Sequence, residues 1–195
     1  MILIGIVGKA GVGKDTAASF LVGAEGFKRY AFADPLKKIA AILFDTDVQV
    51  FDDAEAKRVH DPRWNMTRRQ MAQFVGTEMV RDKLGEDHWI ALLNQKMDGR
   101  KVARNVITDV RFQNEADYIV GWGGYLLHIE SLSRSAIPAG SAESNHQSEQ
   151  GLDFSDAIAH NRYFHYQNDG TMKSFRNAVL EVYSEIVKRE RNGNA

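Results

Sequence analysis

Hydrophobic positions along this chain change period several times, and each change marks an element. The run Ile2-Leu3-Ile4-Gly5-Ile6-Val7 is continuously apolar and reads as a buried strand. A glycine-rich turn separates it from the helix-like Thr16-Ala17-Ala18-Ser19-Phe20-Leu21-Val22. Beyond Gly23 and Gly26, the stretch 27–33 reads as a second strand. Asp34 then stands as N-cap and Pro35 at the first position of a helix with Leu36, Ile39, Ala40 and Leu43 on one face. From 45 to 66 the chain is polar and without period, and it is expected to be partly irregular and mobile. Thr67 has the place of an N-cap for a helix running to about Leu84, with Gly85 as its stop and Met71, Phe74, Val75 and Met79 as its apolar face.

A further short helix is expected over 88–97, with Trp89, Ile90, Leu92 and Leu93 on its apolar side. The run Asn105-Val106-Ile107-Thr108-Asp109 reads as a buried strand ending in a carboxylate. A helix over 114–120 leads through Gly121, Gly123 and Gly124 to the strand Tyr125-Leu126-Leu127-His128-Ile129. Residues 131–150 are small, polar and aperiodic, the composition of a functional loop or of disorder. The stretch 161–167 is the last strand, and Asn168-Asp169-Gly170-Thr171 is a turn whose threonine caps the final helix. That helix has Phe175, Val179, Val182, Tyr183 and Ile186 on its core face, and its charged end from Lys188 is expected to fray.

Composition narrows the function. A length of 195 residues suits one domain, with or without small insertions. A net charge of −1 argues against a general nucleic-acid binder, while leaving room for a local basic cleft. There is no cysteine, which removes disulfides, thiolate metal sites and cysteine nucleophiles. No run is long and apolar enough for a bilayer, and the first residues lack a basic segment or cleavage site, so a cytoplasmic protein is expected. The six histidines are scattered, with no helical pair at metal-ligand spacing, which argues against a histidine metal site. No G-x-S-x-G elbow supports a hydrolase triad.

The strongest chemical signal is Gly8-Lys9-Ala10-Gly11-Val12-Gly13-Lys14-Asp15-Thr16, a G-x-x-x-x-G-K pattern between a strand and a helix. Gly8, Gly11 and Gly13 let backbone N–H groups approach phosphate oxygens, and the helix behind aims its dipole at the same anion. Lys14 has the place of the residue that reaches the β- and γ-phosphates. After the lysine the pattern asks for Ser or Thr; here Asp15 stands there and Thr16 follows. A turn that merely links strand to helix is the plain alternative, and context and lysine favour a nucleotide triphosphate site.

Three weaker signals accompany the loop. Arg69, Gln73, Thr77 and Arg81 recur every fourth residue and form one polar stripe, which is either a solvated face or a grip for a phosphate and a base edge. Asp109, at the end of a strand, stands where a P-loop protein places a Mg²⁺ shell ligand, and Arg111 follows at the same edge. Arg134 lies in the 131–150 segment, as a phosphoryl-stabilising arginine on a flap or as a solvated loop residue.

Six motifs in order carry a family resemblance. They are the loop ending Gly-Lys-Asp-Thr, Phe32-Ala33-Asp34-Pro35-Leu36-Lys37, and Arg69-x-x-x-Gln73-x-x-Gly76-Thr77-Glu78-x-x-Arg81. After them come Thr108-Asp109-Val110-Arg111-Phe112-x-Asn114-Glu115, His146-x-Ser148-Glu149 and Asn168-Asp169-Gly170-Thr171. Together, from Ile2 to about Val187, the chain resembles the deoxynucleoside monophosphate kinases of tailed bacteriophages.

The resemblance implies an α/β three-layer P-loop kinase fold. A parallel sheet of about five strands would have helices on both faces, with monophosphate-binding helices over about 34–100 and a lid over about 131–150 of one 1–195 domain. It implies transfer of the γ-phosphoryl group of ATP, with Mg²⁺, to a deoxynucleoside 5′-monophosphate. Gly8, Gly11, Val12, Gly13, Lys14, Asp15 and Thr16 would hold the ATP phosphates, with Asn168 and Gly170 near the adenine. Phe32, Asp34, Arg69, Gln73, Arg81 and Arg111 would serve the monophosphate. Asp109 would border the reaction centre with Arg111, and Arg134 would close from the lid. Asp15 fits the family's loop, and with Asp109 it is the expected Mg²⁺ ligand, directly or through water. Arg68 departs from the family, whose members often have proline there.

Two other readings share these residues: a P-loop kinase for another small phosphorylated acceptor or coenzyme precursor, and an ATP-binding module without catalysis. None of the three calls for a polymeric nucleic acid or a membrane, and a homodimer is compatible with each.

Overall fold

The computed structural model describes residues 1–97, 104–134, 146, 148 and 151–192. In chain order the elements begin with β1 (Ile2–Val7), α1 (Lys14–Glu25), β2 (Lys28–Tyr30) and α2 (Ala33–Leu43). Two 3₁₀ turns follow, Val48–Phe51 and Ala56–Arg58, then β3 (His60–Asp61) and β4 (Met66–Thr67). One long helix is made of α3 (Arg68–Phe74), a π-helical segment Val75–Arg81 and α4 (Asp82–Leu84). The rest comprises α5 (His88–Lys96), β5 (Arg104–Val110), α6 (Gln113–Gly121), β6 (Tyr125–Glu130), α7 (Ser155–Ala159), β7 (Tyr163–Gln167) and α8 (Met172–Asn192).

The chain divides into two compact units: Met1–Tyr30 with Asp98–Ala136 and Leu152–Ala195, and Ala31–Met97 with Ile137–Gly151. The first holds a five-stranded sheet in the order β2-β5-β1-β6-β7, and every pairing in it is parallel. Parallel strands need helical crossovers, which cover both faces and explain why β1 is apolar throughout and β5 is buried over 105–108. On one face Ile4, Ile6, Leu127 and Ile129 pack with Ala17 and Leu21 of α1 and with Phe175, Val179 and Ile186 of α8. On the other lies α6: a Cβ added to Gly5 would stand 2.4 Å from the Ile119 side chain. The last helix does not fray at Lys188 but continues to Asn192, where Arg189 pairs with Glu185 one turn back and donates to the Asn161 carbonyl. The short helix α7 has no counterpart in the sequence pattern, because five residues are too few to show a period.

The second unit corrects three expectations. Its helix α2 begins at Ala33, so Asp34 lies inside the first turn rather than at the N-cap, where its charge still complements the helix dipole. On that helix Ala40 is buried while Leu43 is largely exposed. The stretch 45–66 is ordered into short turns and the β3–β4 pair, because Asp61 organises it. This buried carboxylate accepts from Arg63 at 2.8 Å and from Arg68 at 3.0 Å, so Arg68 closes an ion cluster where proline would supply none. The Arg63 hydrogen bonds, aided by both positive charges, hold the Asp61 carboxyl down at about 2, against an ordinary 3.8. A lowered folded-state value stabilises above the ordinary one and is lost as pH falls through the folded one. Between about pH 4 and 2, then, wild type should lose stability more steeply than Asp61→Asn in urea titrations.

The third correction concerns the long helix. Its start is as expected: Thr67 Oγ1 accepts from Gln70 N–H, and Gln70 Oε1 accepts from Thr67 N–H, a reciprocal capping box. Its end is at Gly85, with φ 114°. Between them the apolar face is Met71, Val75 and Val80, while Phe74 and Met79 are substantially exposed. The step from Val75 to Val80 is five residues because the π segment bonds i to i+5 and turns more slowly than an α-helix. Met79 would face the core only if the α period continued.

Candidate active site

The loop after β1 leaves the central strand of the sheet and returns as α1. Glycine is obligatory at its two ends. Gly8 has φ 149°, and a Cβ there would stand 2.3 Å from the Ile129 carbonyl; Gly13 has φ 107°, and a Cβ would stand 2.9 Å from the Asn168 amide nitrogen. Gly13 is also the N-cap of α1, and it brings no side chain to satisfy the first-turn N–H groups, which stay available to an anion. Lys14 is 92% buried by the loop it belongs to: its Nζ donates to the Gly8 carbonyl at 2.6 Å and to the Lys9 carbonyl at 2.9 Å. The loop is therefore curled about its own ammonium group, with Val12 buried beneath and Thr16 half-buried. Asp15 is exposed in the first turn of α1, and Arg29 lies 3.9 Å from it.

Asn168, expected near the adenine, is fully buried, and its Nδ2 donates 2.8 Å to the Val12 carbonyl. Its Oδ1 is buried with no hydrogen-bond partner among the described residues. Asn168 therefore braces the loop from behind, a role that no pattern in the sequence could reveal because the partners are 156 residues apart. Asn168→Ala should remove that brace at a cost of about 1–3 kcal/mol in stability. It should also weaken the loop's binding of a nucleoside triphosphate about tenfold or more, as titration of wild type and variant would show.

The turn after Asn168 is tied to the start of the 131–150 segment. Asp169 accepts from the Ser131 hydroxyl at 2.6 Å and from the Leu132 and Ser133 N–H groups, and Gln167 also donates to it. The Ser131 hydrogen bond first, then Gln167 and the backbone donors, hold its carboxyl far below the usual carboxylate range. Arg134, the expected lid arginine, donates to the Gly170 carbonyl at 3.0 Å. Most of the expected lid, including 135–145 and Glu149, lies outside the described residues.

β5 lies directly beside β1, with Val7 opposite Val110. Asp109 is half-buried and next to last in this strand, which runs one residue further than expected. Arg111 follows, its backbone N–H held 2.8 Å from the Glu115 carboxylate, which also accepts from Phe112 N–H at 3.1 Å. Glu115 is 2% exposed and fixes the turn from β5 into α6. It was visible in the sequence only as part of a motif.

In the second unit, the stripe on the long helix is not solvated. Arg69 and Gln73 are half-buried, and Thr77 and Arg81 are buried. Arg81 donates to the Glu86 carbonyl at 2.9 Å. Gly76 lets the helix approach α2, since a Cβ would stand 2.5 Å from Leu36, and its carbonyl accepts from the Trp89 indole at 2.9 Å. Phe32 is buried at the start of α2 and Asp34 is half-buried. A cavity of about 300 Å³ opens on the same helix, lined by Asn65, Met66, Gln70, Gln73, Phe74, Glu78 and His146. His146 lies 3.5 Å from Glu78 and 3.0 Å from the Ser148 hydroxyl. Of the expected acceptor residues, Gln73 alone is on this wall.

A glycine loop curled about a lysine, behind the central strand of an all-parallel sheet, makes this a P-loop kinase fold. A sugar kinase from Janibacter sp. has the same fold, with a TM-score of 0.52 at 13% identity and 92% of each chain covered. More specifically, the chain belongs to the deoxynucleotide monophosphate kinase family, whose sequence profile matches residues 45–179. A protein of Acanthamoeba polyphaga mimivirus, provisionally described as a deoxynucleotide monophosphate kinase, is 43% identical over 143 residues, 67% of this chain and 74% of that one. The deoxynucleoside-5′-monophosphate kinase of Escherichia phage T5 is 24% identical over 249 residues, 94% of this chain and 95% of that one. The protein is thus a kinase. Among the described residues, no helix is long and apolar enough to cross a membrane.

Proposed function

We propose that this enzyme transfers the γ-phosphoryl group of ATP to a deoxynucleoside 5′-monophosphate, giving ADP and the deoxynucleoside diphosphate. The observation that carries this reading is the loop around Lys14, in a chain of the deoxynucleotide monophosphate kinase family.

The residues present fit ATP and Mg²⁺. The glycine cradle is one that a Cβ would fill, and α1 offers its N-terminal N–H groups behind it. Asp15 and Asp109 are carboxylates, the hard oxygen donors that Mg²⁺ takes, and they would hold it. When bound, Mg²⁺ would neutralise charge shared between the β- and γ-phosphates. Lys14 exchanges the Gly8 and Lys9 carbonyls for phosphate oxygens. Thr16 contacts a phosphate from the first turn of α1. Arg111, set by Glu115, and Arg134, released from Gly170, add positive charge where the transferring group passes.

The acceptor is held in the second unit. The amides of Asn65 and Gln73 offer both donors and acceptors to a base edge, and Phe74 offers a ring face to stack on it. A cavity of about 300 Å³ is at the lower end of small-ligand sites, in keeping with a mononucleotide. Arg69, Arg81 and Asp34 complete the acceptor site, the arginines gripping its phosphate. That phosphate oxygen is anionic at neutral pH and attacks without a general base, so the side chains position and neutralise rather than remove a proton.

Release of ADP from ATP and Mg²⁺ tests the reading, measured with each deoxynucleoside monophosphate and each ribose counterpart. Strong stimulation by at least one deoxynucleotide, with its diphosphate as product, is expected. ATP binding without stimulation by any of them would overturn it.

A further inference from the structure

Another cluster of chemistry-bearing side chains lies on the β6–β7 pair, among residues given no part in the phosphoryl transfer above. His128 and Glu130 are two residues apart on β6 and so point to the same face. His165 on β7 is the register partner of His128 and stands directly beside it, on that face. The Glu130 carboxylate lies between the rings, 3.8 Å from His128 Nε2 through one oxygen and 2.8 Å from His165 Nε2 through the other. One ligand atom from each of the three falls within 4.8 Å of the other two.

We infer that His128, Glu130 and His165 bind a Zn²⁺-class cation on the β6–β7 pair. Two imidazoles and a carboxylate are a donor set that suits zinc and its neighbours and is poorly matched to Mg²⁺. Tetrahedral bonds of about 2.0–2.1 Å place donor atoms about 3.3 Å apart, so ligand atoms now within 4.8 Å of one another need side-chain movements of about 1–1.5 Å, which the half-exposed Glu130 and His165 can make. The orientation of His128 is already fixed: the Tyr163 hydroxyl is 2.9 Å from Nδ1, leaving Nε2 towards Glu130. A metal-bound imidazole keeps its proton on the other nitrogen, which Tyr163 would accept, as the outer partner of a metal-ligating histidine does. Phe154 packs against the His128 ring at 4.8 Å between centroids and restricts its movement. Glu130 and His165 are about half exposed, which leaves the solvent side for a water as fourth ligand. A plain Glu130–His165 ion pair would explain one contact, but not the second nitrogen, His128 Nε2, turned to the same carboxylate.

The helical spacing sought in the sequence could not find this site, because its spacing is that of strands. A cation there would join the edge strand β7 to β6. It would also stiffen the chain just before Asn168, whose N–H is bonded to the Glu130 carbonyl at 2.7 Å.

The test uses the full chain, stripped with chelator and titrated with Zn²⁺ against a chromophoric zinc chelator. One tight site per chain is expected. It should weaken at least 100-fold in His165→Ala and in Glu130→Gln, both half-exposed positions where folding is easily retained, and about tenfold in Tyr163→Phe. Co²⁺ should give the intense visible bands of four-coordinate cobalt in wild type and not in the first two variants. Zn²⁺ should raise the thermal midpoint of wild type alone, and millimolar Mg²⁺ should not compete. Equal zinc affinity in wild type and both variants, or a six-coordinate Co²⁺ spectrum in wild type, would overturn the inference. The metal titrations need no nucleotide, so their outcome is independent of the kinase reaction.

Discussion

Lys14→Ala is expected to lower kcat for phosphoryl transfer by about 10³-fold or more while the protein stays folded. The lysine lies at the first position of α1, and alanine is the best helix former, so the helix itself loses nothing. What disappears is the charge at the centre of the loop. Its ammonium group touches the Gly8 and Lys9 carbonyls at 2.6 and 2.9 Å, within reach of anything held by the surrounding N–H groups. Charge developing on the transferring phosphoryl group meets a donor that is itself buried, where one electrostatic contact is worth several kcal/mol. Lys14→Arg should be nearly as inactive, because a planar guanidinium does not fit a pocket closed around an ammonium group. Single-turnover measurement of diphosphate formation decides the matter; near-normal turnover in Lys14→Ala would remove the loop from the mechanism.

Arg81→Lys should raise the acceptor KM by about 30-fold or more and leave the KM for ATP unchanged. Arg81 is 5% exposed, and burying a guanidinium is costly unless hydrogen bonds compensate for the lost water. One N–H of its fork donates to the Glu86 carbonyl, which orients the planar guanidinium, and the bound acceptor phosphate is expected to meet that fork. Lysine keeps the charge and most of the volume, so the fold is retained while the planar fork is lost. Arg81→Ala should cost more, with part of the loss in stability. An unchanged acceptor KM in Arg81→Lys would assign the residue to packing alone. Gln73→Ala, on the cavity wall at the same stripe, separates base from phosphate recognition: it should shift preference among bases more than it weakens binding overall.

Elements with one partner environment were legible in the chain. β1 is apolar throughout, and β5 and β6 are apolar at their centres (Val106-Ile107 and Leu126-Leu127), because a parallel sheet covered on both faces admits little else there. Thr67 and Thr171 announce helix starts through capping chemistry confined to four residues, and both cap as expected. Where local signals competed with long-range ones, the chain misled. The Asp34-Pro35 pair looks like a helix start, yet the helix begins at Ala33. Phe74 and Met79 fit an α period that the π segment breaks. The 45–66 stretch lacks any period, and its order comes from a buried carboxylate gathering two arginines.

The same division runs through the site. The sequence by itself determined the loop Gly8–Thr16 and its phosphate chemistry, because that motif is contiguous and its function resides in backbone conformation. It also determined the family, through six short motifs in order. Only the tertiary structure decided that Asn168 braces the loop, that Glu115 sets Arg111, that Thr77 and Arg81 of the stripe are buried, and that His128 and His165 flank one glutamate. Each of these depends on residues brought together by sheet register or helix packing. Such contacts leave no periodic trace, because their spacing along the chain is set by the connections between elements rather than by the elements themselves.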